Sequence, residues 1–322
     1  MKQKLSIIIP VYNEEGSLPE LYKQLSKHSS ETVASGLIDD YDIWFISDGC
    51  TDKSEQVIKQ IIETDGRIGL ISFRKNFGKA AALQAGFRRC KGDVVITMDA
   101  DLQDDPADIP RMIEKLNEGY DLVSGWKKNR KDSIEKRLPS KLFNKVTSFM
   151  SGIKLNDFNC GFKAYRKEVI DSLDIYGEMH RYIPVLVHRK GFRITEIPIE
   201  HHKREFGKSK YGFERYLRGL FDSFTSTFLS KFYDKPMHFF GRIGLLLFST
   251  GFIICAILTY RWFILGYFNV RPLLMLGILL IILGVQSIST GFIGELIVDA
   301  TYRNRYTEGH IKEVIEAGKE LK

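Results

Sequence analysis

Asp99-Ala100-Asp101 places two carboxylates one position apart, directly after the apolar run GDVVITM. Paired hard oxygens suit a divalent cation, Mg2+ or Mn2+, held by one or two carboxylates and shared with substrate phosphates. Five of the ten residues from Asp99 to Asp108 are aspartates, in a chain whose formal net charge is +7. Clustered like charges repel, so a cation is expected at Asp99 and Asp101. Asp104 and Asp105 precede Pro106 and read as caps of a helix beginning there. Three more polar clusters follow apolar runs: Tyr12-Asn13-Glu14-Glu15, Asp48-Gly49-Cys50-Thr51-Asp52, and Arg74-Lys75-Asn76-Phe77-Gly78-Lys79.

The elements that must position these clusters are legible as an alternation. Leu5–Val11, Tyr41–Ser47, Ile68–Ser72 and Val94–Met98 are short apolar runs rich in β-branched residues, which predicts strands. Helical spacing follows the first run, with Leu18, Leu21, Tyr22 and Leu25 on one face. Further helices are expected through Ile61 and Ile62 and through Phe87. Strands alternating with helices imply βαβ units, right-handed connections and a mostly parallel α/β sheet. In such sheets ligands bind beyond the carboxyl ends of the strands, where all four polar clusters fall.

The chain changes character near Phe239. Ile243–Tyr260 is 18 residues without a charge, and Leu273–Gly294 is 22. A helix needs about 20 such residues to cross a bilayer, so two transmembrane helices are expected within 239–298; the alternative is a pair of buried core helices. MKQKLSIIIPVYNEE has too short an apolar core for a signal peptide. Lys231, Lys235 and Arg242 precede the first run, and Arg303, Arg305 and Lys312 follow the second. That bias puts both ends in the cytoplasm. Phe213 to Phe232 carries an apolar stripe at helical spacing, read either as an interfacial helix or as one packed on the soluble domain. Lys127 to Lys145 holds eight basic residues in nineteen, read either as a solvated helix face or as a patch for phosphate or anionic lipid. Cys50, Cys90, Cys160 and Cys255 are far apart, and no Cys-x-x-Cys pair occurs. Zinc and a disulfide framework are not expected.

Taken together, SIIIPVYNEEGSL, SDGCTDKS, RKNFGKAAALQAGF, DVVITMDADLQDDP, DFNCGFKAY and REFGKSKYGF resemble the family-2 inverting glycosyltransferases of the GT-A (Rossmann-like) fold. The resemblance is closer to the polyprenyl-phosphate branch, which includes dolichyl-phosphate mannose synthases and bactoprenol glucosyl transferases. It covers roughly residues 5–216 and implies an organisation: a cytoplasmic catalytic domain over 1–210, amphipathic juxtamembrane helices over 211–238, two spans over 239–298 and a cytoplasmic tail over 299–322. It also implies an inner-membrane enzyme moving a sugar from a UDP- or GDP-sugar to a polyprenyl monophosphate. A dimer or tetramer is expected by likeness, and nucleic acid is not among the expected partners.

The resemblance assigns roles by position. Pro10, Tyr12, Glu14, Asp48, Lys79, Asp99, Ala100 and Asp101 would hold the nucleotide sugar. Asp99 and Asp101 would bind the metal, with Gln103 beside the phosphates. Arg204 and Lys210 would close over the diphosphate, on a loop hinged near Gly207 and Gly212. Cys50 stands where the family usually has serine. A lipid monophosphate has a second pKa of about 6, so it needs cations more than a general base, and Arg130 and Arg137 are the candidates. Asp157 would either orient the acceptor or cap a helix. Two other readings stand beside this one: a membrane glycosyltransferase acting on a glycan or glycolipid hydroxyl, and a non-catalytic nucleotide-binding scaffold. The second predicts lost metal ligands, and Asp99, Asp101 and Gln103 are present.

Overall fold

The computed structural model describes residues 3–128, 144, 147, 148, 151–175, 177, 179–202, 236–266 and 271–303. They fall into two compact units, one within Met1–Ser226 and one within Thr227–Glu308.

The first unit is built on a seven-stranded sheet. Its strands are β1 (Lys4–Val11), β2 (Asp40–Ser47), β3 (Ile68–Ser72), β4 (Val94–Thr97), β5 (Leu122–Trp126), β6 (Lys163–Arg166) and β7 (Ile194–Pro198). They lie in the order β3-β2-β1-β4-β6-β5-β7. The first four are parallel, β6 runs antiparallel to both neighbours, and β5 pairs parallel with β7. The helices are α1 (Leu18–Ala34), α2 (Ser54–Thr64), α3 (Lys79–Arg89), α4 (Ile109–Asn117), α5 (Lys167–Ser172) and α6 (Ile183–Arg189). Ile7 and Ile9 of β1 face a core shared with α1, whereas Ile8 faces Leu83 and Phe87 of α3. Alternate residues thus cover opposite faces, and the central strands are buried on both.

The four expected strands are present, with ends moved by at most one residue. Pro106 opens a 3₁₀ turn to Asp108 before α4 starts at Ile109. Asp105 caps that turn, its carboxylate accepting from Ala107 N at 2.9 Å. Asp104, expected as a cap too, instead points inward. It is 2% exposed, and the Lys127 ammonium lies 2.7 Å from its Oδ1. Lys127 is therefore not one of the free cations its basic run suggested.

The second unit is a helical hairpin, α7 (Pro236–Leu265) and α8 (Arg271–Arg303). Pro236–Ile264 and Pro272–Val298 are each long and apolar enough to cross a membrane, and most of their large apolar side chains are exposed. Glycine lets the two backbones meet: a Cβ on Gly244 would fall 2.7 Å from Gly284 O. Small residues at such crossings are the usual way apolar helices pack without a hydrophobic driving force. Glu295, which ends the second uncharged run, accepts from Met237 N at 3.3 Å and satisfies an amide at the start of α7.

Candidate functional site

The site grows from the ends of β1, β2 and β4. Asn13 adopts φ 56°, a left-handed conformation asparagine tolerates better than most residues. Its amide oxygen accepts from Thr51 N at 2.8 Å, and its own N–H donates to Cys50 Sγ at 3.3 Å. The cysteine thus takes the hydrogen-bonding part a hydroxyl would take. Glu14 N donates to Ser54 Oγ at 2.9 Å. These bonds knit the loop after β1 to the loop after β2. Tyr12 is 40% exposed, while Pro10, next to last in β1, is half-buried.

Asp48 is buried at the end of β2, and its two carboxylate oxygens accept from Phe77 N at 2.7 Å and Gly78 N at 2.9 Å. It fixes the loop that leads into α3. Lys79, the first residue of α3, then reaches the β4 end and forms an ion pair with Asp99. Burial pushes the Asp99 carboxyl up, but the charges of Lys79 and Lys127 outweigh it and hold the group down at about 2. Asp99 is therefore ionised at neutral pH.

The Asp-Ala-Asp segment is braced from three sides. Ser17 Oγ, at the start of α1, donates to Ala100 O at 2.7 Å. Thr97 Oγ1 donates to Gly161 O at 2.8 Å, which seats Gly161 directly under Asp99: a Cβ there would lie 2.6 Å from the carboxylate. On the third side the chain beyond β7 runs antiparallel to the motif, with Asp104 bridged to His201. His202 N donates to Gln103 O at 2.9 Å, and His201 Nδ1 lies 3.1 Å from the same oxygen. Leu102 takes φ 58°, an uncommon conformation for a branched apolar residue, and the turn it makes lets Gln103 N donate to Asp101 Oδ1 at 3.3 Å.

Pro10, Tyr12, Glu14, Asp48, Lys79, Asp99, Ala100, Asp101 and Gln103 thus all belong to strand ends or their adjoining loops at one edge of the sheet. Asp157 is 1% exposed, and its Oδ1 accepts from Asn159 N at 3.2 Å. A turn and then β6 follow, so it does not cap a helix. Arg130, Arg137, Arg204 and Lys210, like the stripe from Phe213 to Phe232, lie outside the described residues.

Asp99 and Asp101 carry carboxylate oxygens, the donors Mg2+ and Mn2+ prefer. A second group, Asp105, Glu200 and His202, brings three ligand-type atoms within 4.8 Å of one another. Sequence reading missed Glu200 and His202, because β7 is far along the chain and only the sheet brings its end beside Asp105. It also missed His180 and gave Lys163 no role. Burial lowers the Lys163 ammonium. Burial, with Lys79 and Arg181 nearby, pushes the His180 imidazole down to about 3.

Comparison with known proteins extends this geometry. The family model described as Glycosyl transferase family 2 matches residues 6–174. Over 317 residues the chain is 36% identical to a dodecaprenyl-phosphate galacturonate synthase of Rhizobium johnstonii, covering 96% of this chain and 91% of that protein. Over 300 residues it is 35% identical to an undecaprenyl-phosphate 4-deoxy-4-formamido-L-arabinose transferase of Klebsiella pneumoniae, covering 92% of this chain and 88% of that one. Among solved structures, the fold is similar to glucosyl-3-phosphoglycerate synthase from Mycobacterium tuberculosis in complex with Mn2+, UDP and phosphoglyceric acid. That match has a TM-score of 0.55 at 16% identity and covers 71% of this chain and 78% of the other. It agrees with the GT-A fold expected from the motifs.

Proposed function

We propose that this chain, which belongs to glycosyl transferase family 2, transfers one sugar from a nucleotide-sugar donor to a polyprenyl monophosphate at a membrane face, with inversion. The observation that carries the reading is the ionised Asp99 beside Asp101 at converging strand ends, in a chain that also has a hairpin able to cross a bilayer. Two relatives matched over at least nine-tenths of the chain, both named as polyprenyl-phosphate sugar transferases, support the substrate class.

In this reading the loops after β1 and β2 hold the nucleoside, through Pro10, Tyr12, Glu14 and Asp48. Asp99 and Asp101 would hold Mg2+ or Mn2+, which when bound offsets the charge that grows on the departing diphosphate, with Gln103 beside the phosphates. Lys79 keeps Asp99 ionised and in place. The chain leaves His202, itself tied to Gln103, for the segment bearing Arg204 and Lys210, which would add positive charge over the diphosphate. The acceptor oxygen is anionic near neutral pH because a phosphomonoester titrates at about 6. It therefore needs to be held, by Arg130 and Arg137, rather than deprotonated. Asp157, turned inward, suits a role in shaping the 157–161 turn that carries Gly161 under Asp99. The hairpin would keep the site at the membrane surface, where a polyprenyl chain and a water-soluble donor can meet.

Incubating the purified full-length protein with labelled UDP- and GDP-sugars tests this directly. Sugar should appear on polyprenyl monophosphate and not on a free glycan. The opposite selectivity would favour a transferase acting on a glycan hydroxyl.

A further inference from the structure

Lys79, which pairs with Asp99, also lines a small cavity together with the apolar Leu83 and Ile183. The cavity measures about 10 Å³, and its walls also include Thr97, Gly161, Lys163 and His180. A volume near 10–15 Å³ takes a single water-sized group. Two atoms there are short of partners. Lys163, on β6, is 2% exposed. Its ammonium has three donors, yet among the described residues its one hydrogen bond goes to Cys160 O. His180 Nδ1, in the 3₁₀ turn Met179–Tyr182, is buried with no hydrogen-bond partner among the described residues.

The chemistry of the pair narrows the occupant. Burial and the nearby cations keep the imidazole neutral, and with its proton on Nε2, Nδ1 is an acceptor. A hydroxyl can accept from the Lys163 ammonium and donate to that nitrogen at once. A carboxylate can do only the first. The neighbouring Lys79–Asp99 pair stands at the strand ends where the donor is expected. Thr97, Gly161 and Lys163 sit on or beside β4 and β6, a rigid frame that suits discrimination.

We propose that Lys163 and His180 form a subsite that reads one hydroxyl of the donor sugar, and so help determine which sugar is transferred. This rests on the proposed glycosyl transfer. It assigns these two residues to donor selection rather than to nucleotide binding or to the acceptor.

Calorimetric titration of the full-length, Mn2+-loaded protein tests it, using UDP, GDP, their hexose conjugates and the mono-deoxy forms of whichever conjugate binds. The readout is the affinity of the sugar nucleotide divided by that of the bare diphosphate. His180→Phe and Lys163→Met should each cut this ratio by about tenfold, the usual effect of losing a hydrogen bond to a charged group or leaving its partner unmet. Both should leave diphosphate affinity within about twofold. One mono-deoxy donor should bind the wild type more weakly than its parent, yet bind the variants as well as its parent does. An unchanged ratio in a variant that still binds diphosphate would overturn the subsite and leave the cavity to water alone. So would equal affinity of the wild type for every deoxy donor. Should Lys163→Met also lose diphosphate binding through misfolding, His180→Phe decides, with His180→Asn expected to restore part of the ratio. Wild-type protein that binds neither diphosphate nor sugar nucleotide would instead refute the transfer reading, and the subsite with it.

Discussion

Gly161→Ala should disable transfer without unfolding the protein, and the structure says by how much. A Cβ at Gly161 would lie 2.6 Å from Asp99 Oδ2 and 2.8 Å from its Cγ and Oδ1. Ordinary contact begins near 3.4 Å, so something must move by about 0.8 Å. Gly161 itself is held, because its carbonyl accepts from Thr97 Oγ1 and Phe162 O accepts from Gly125 N at 2.9 Å. Its φ lies outside the left-handed range, so alanine brings no backbone strain. The Asp99 side chain, only partly buried, is the part that can yield, and it moves off Lys79. Misplacing a reacting group by about 1 Å costs roughly 10²-fold in rate. The expected outcome is a drop of that size in kcat/KM for sugar transfer, with a Tm change of only a few degrees. In an Asp99→Ala background, where the colliding carboxylate is gone, Gly161→Ala should cost little more. Wild-type kcat/KM in the single variant would refute this reasoning, as would a Tm fall beyond about 10 °C, since the backbone rather than Asp99 would then have given way.

Further outcomes are expected elsewhere. Asp101→Ala should abolish transfer with the fold intact by circular dichroism, and normal turnover of that variant in excess chelator would sink the metal role. Lys127→Met leaves the Asp104 carboxylate buried and alone, and should cost about 3–5 kcal/mol in thermal or denaturant unfolding. Lys127→Met with Asp104→Leu should recover most of that loss, because an apolar pair of similar volume is often as stable as a buried ion pair. Burial pushes the Cys90 thiol up to about 11 and the Cys160 thiol up to about 12. At pH 8 their thiolate fractions are then on the order of 10⁻³ and 10⁻⁴. Both should escape iodoacetamide until the protein unfolds, while half-buried Cys50 is alkylated first, as peptide mass spectrometry would show.

What the sequence made legible was whatever repeats locally. The strands β1 to β4 were visible because each is a compact apolar run closed by a polar cluster. The rule that ligands bind past the carboxyl ends of parallel strands then brought Tyr12, Asp48, Lys79 and Asp99 to one edge. Illegible were the pairings that only the sheet creates. The order β4-β6-β5 sets Gly161 under Asp99 and Lys163 near Lys79, though Lys79 and Lys163 are 84 positions apart. Nothing in the run from Lys127 to Lys145 marks its first lysine as buried, because the burial comes from Asp104 across the fold. The cap expected of Asp104 fell to Asp105 for the same reason: two adjacent aspartates in extended backbone point to opposite sides, and one side was core.

The acidic cluster is tolerated because its charges are divided among separate partners. Asp99 faces Lys79, Asp104 faces Lys127, and Asp108 pairs with Arg111 and accepts from Glu200 N. Asp105 caps its turn beside His202. Lys79 and Lys127 are thus each paired with a carboxylate of the cluster, and the diphosphate is expected beside Asp99 and Asp101. A unit charge about 4 Å from another of the same sign costs about 4 kcal/mol at an effective dielectric of 20. A diphosphate brought against these carboxylates is favoured when positive charge arrives with it, and Lys79 and Lys127 are already paired with Asp99 and Asp104. Donor binding should thus depend on the added cation itself. Chelation should weaken nucleoside-diphosphate affinity by ten- to a hundredfold, measured by calorimetry at constant ionic strength. In Asp101→Asn, which removes a proposed metal ligand, the same chelation should change affinity little. Equal affinity with and without chelator in the wild type would show that the repulsion is already met by the chain's own cations, and the division of charge argued for this cluster would fail.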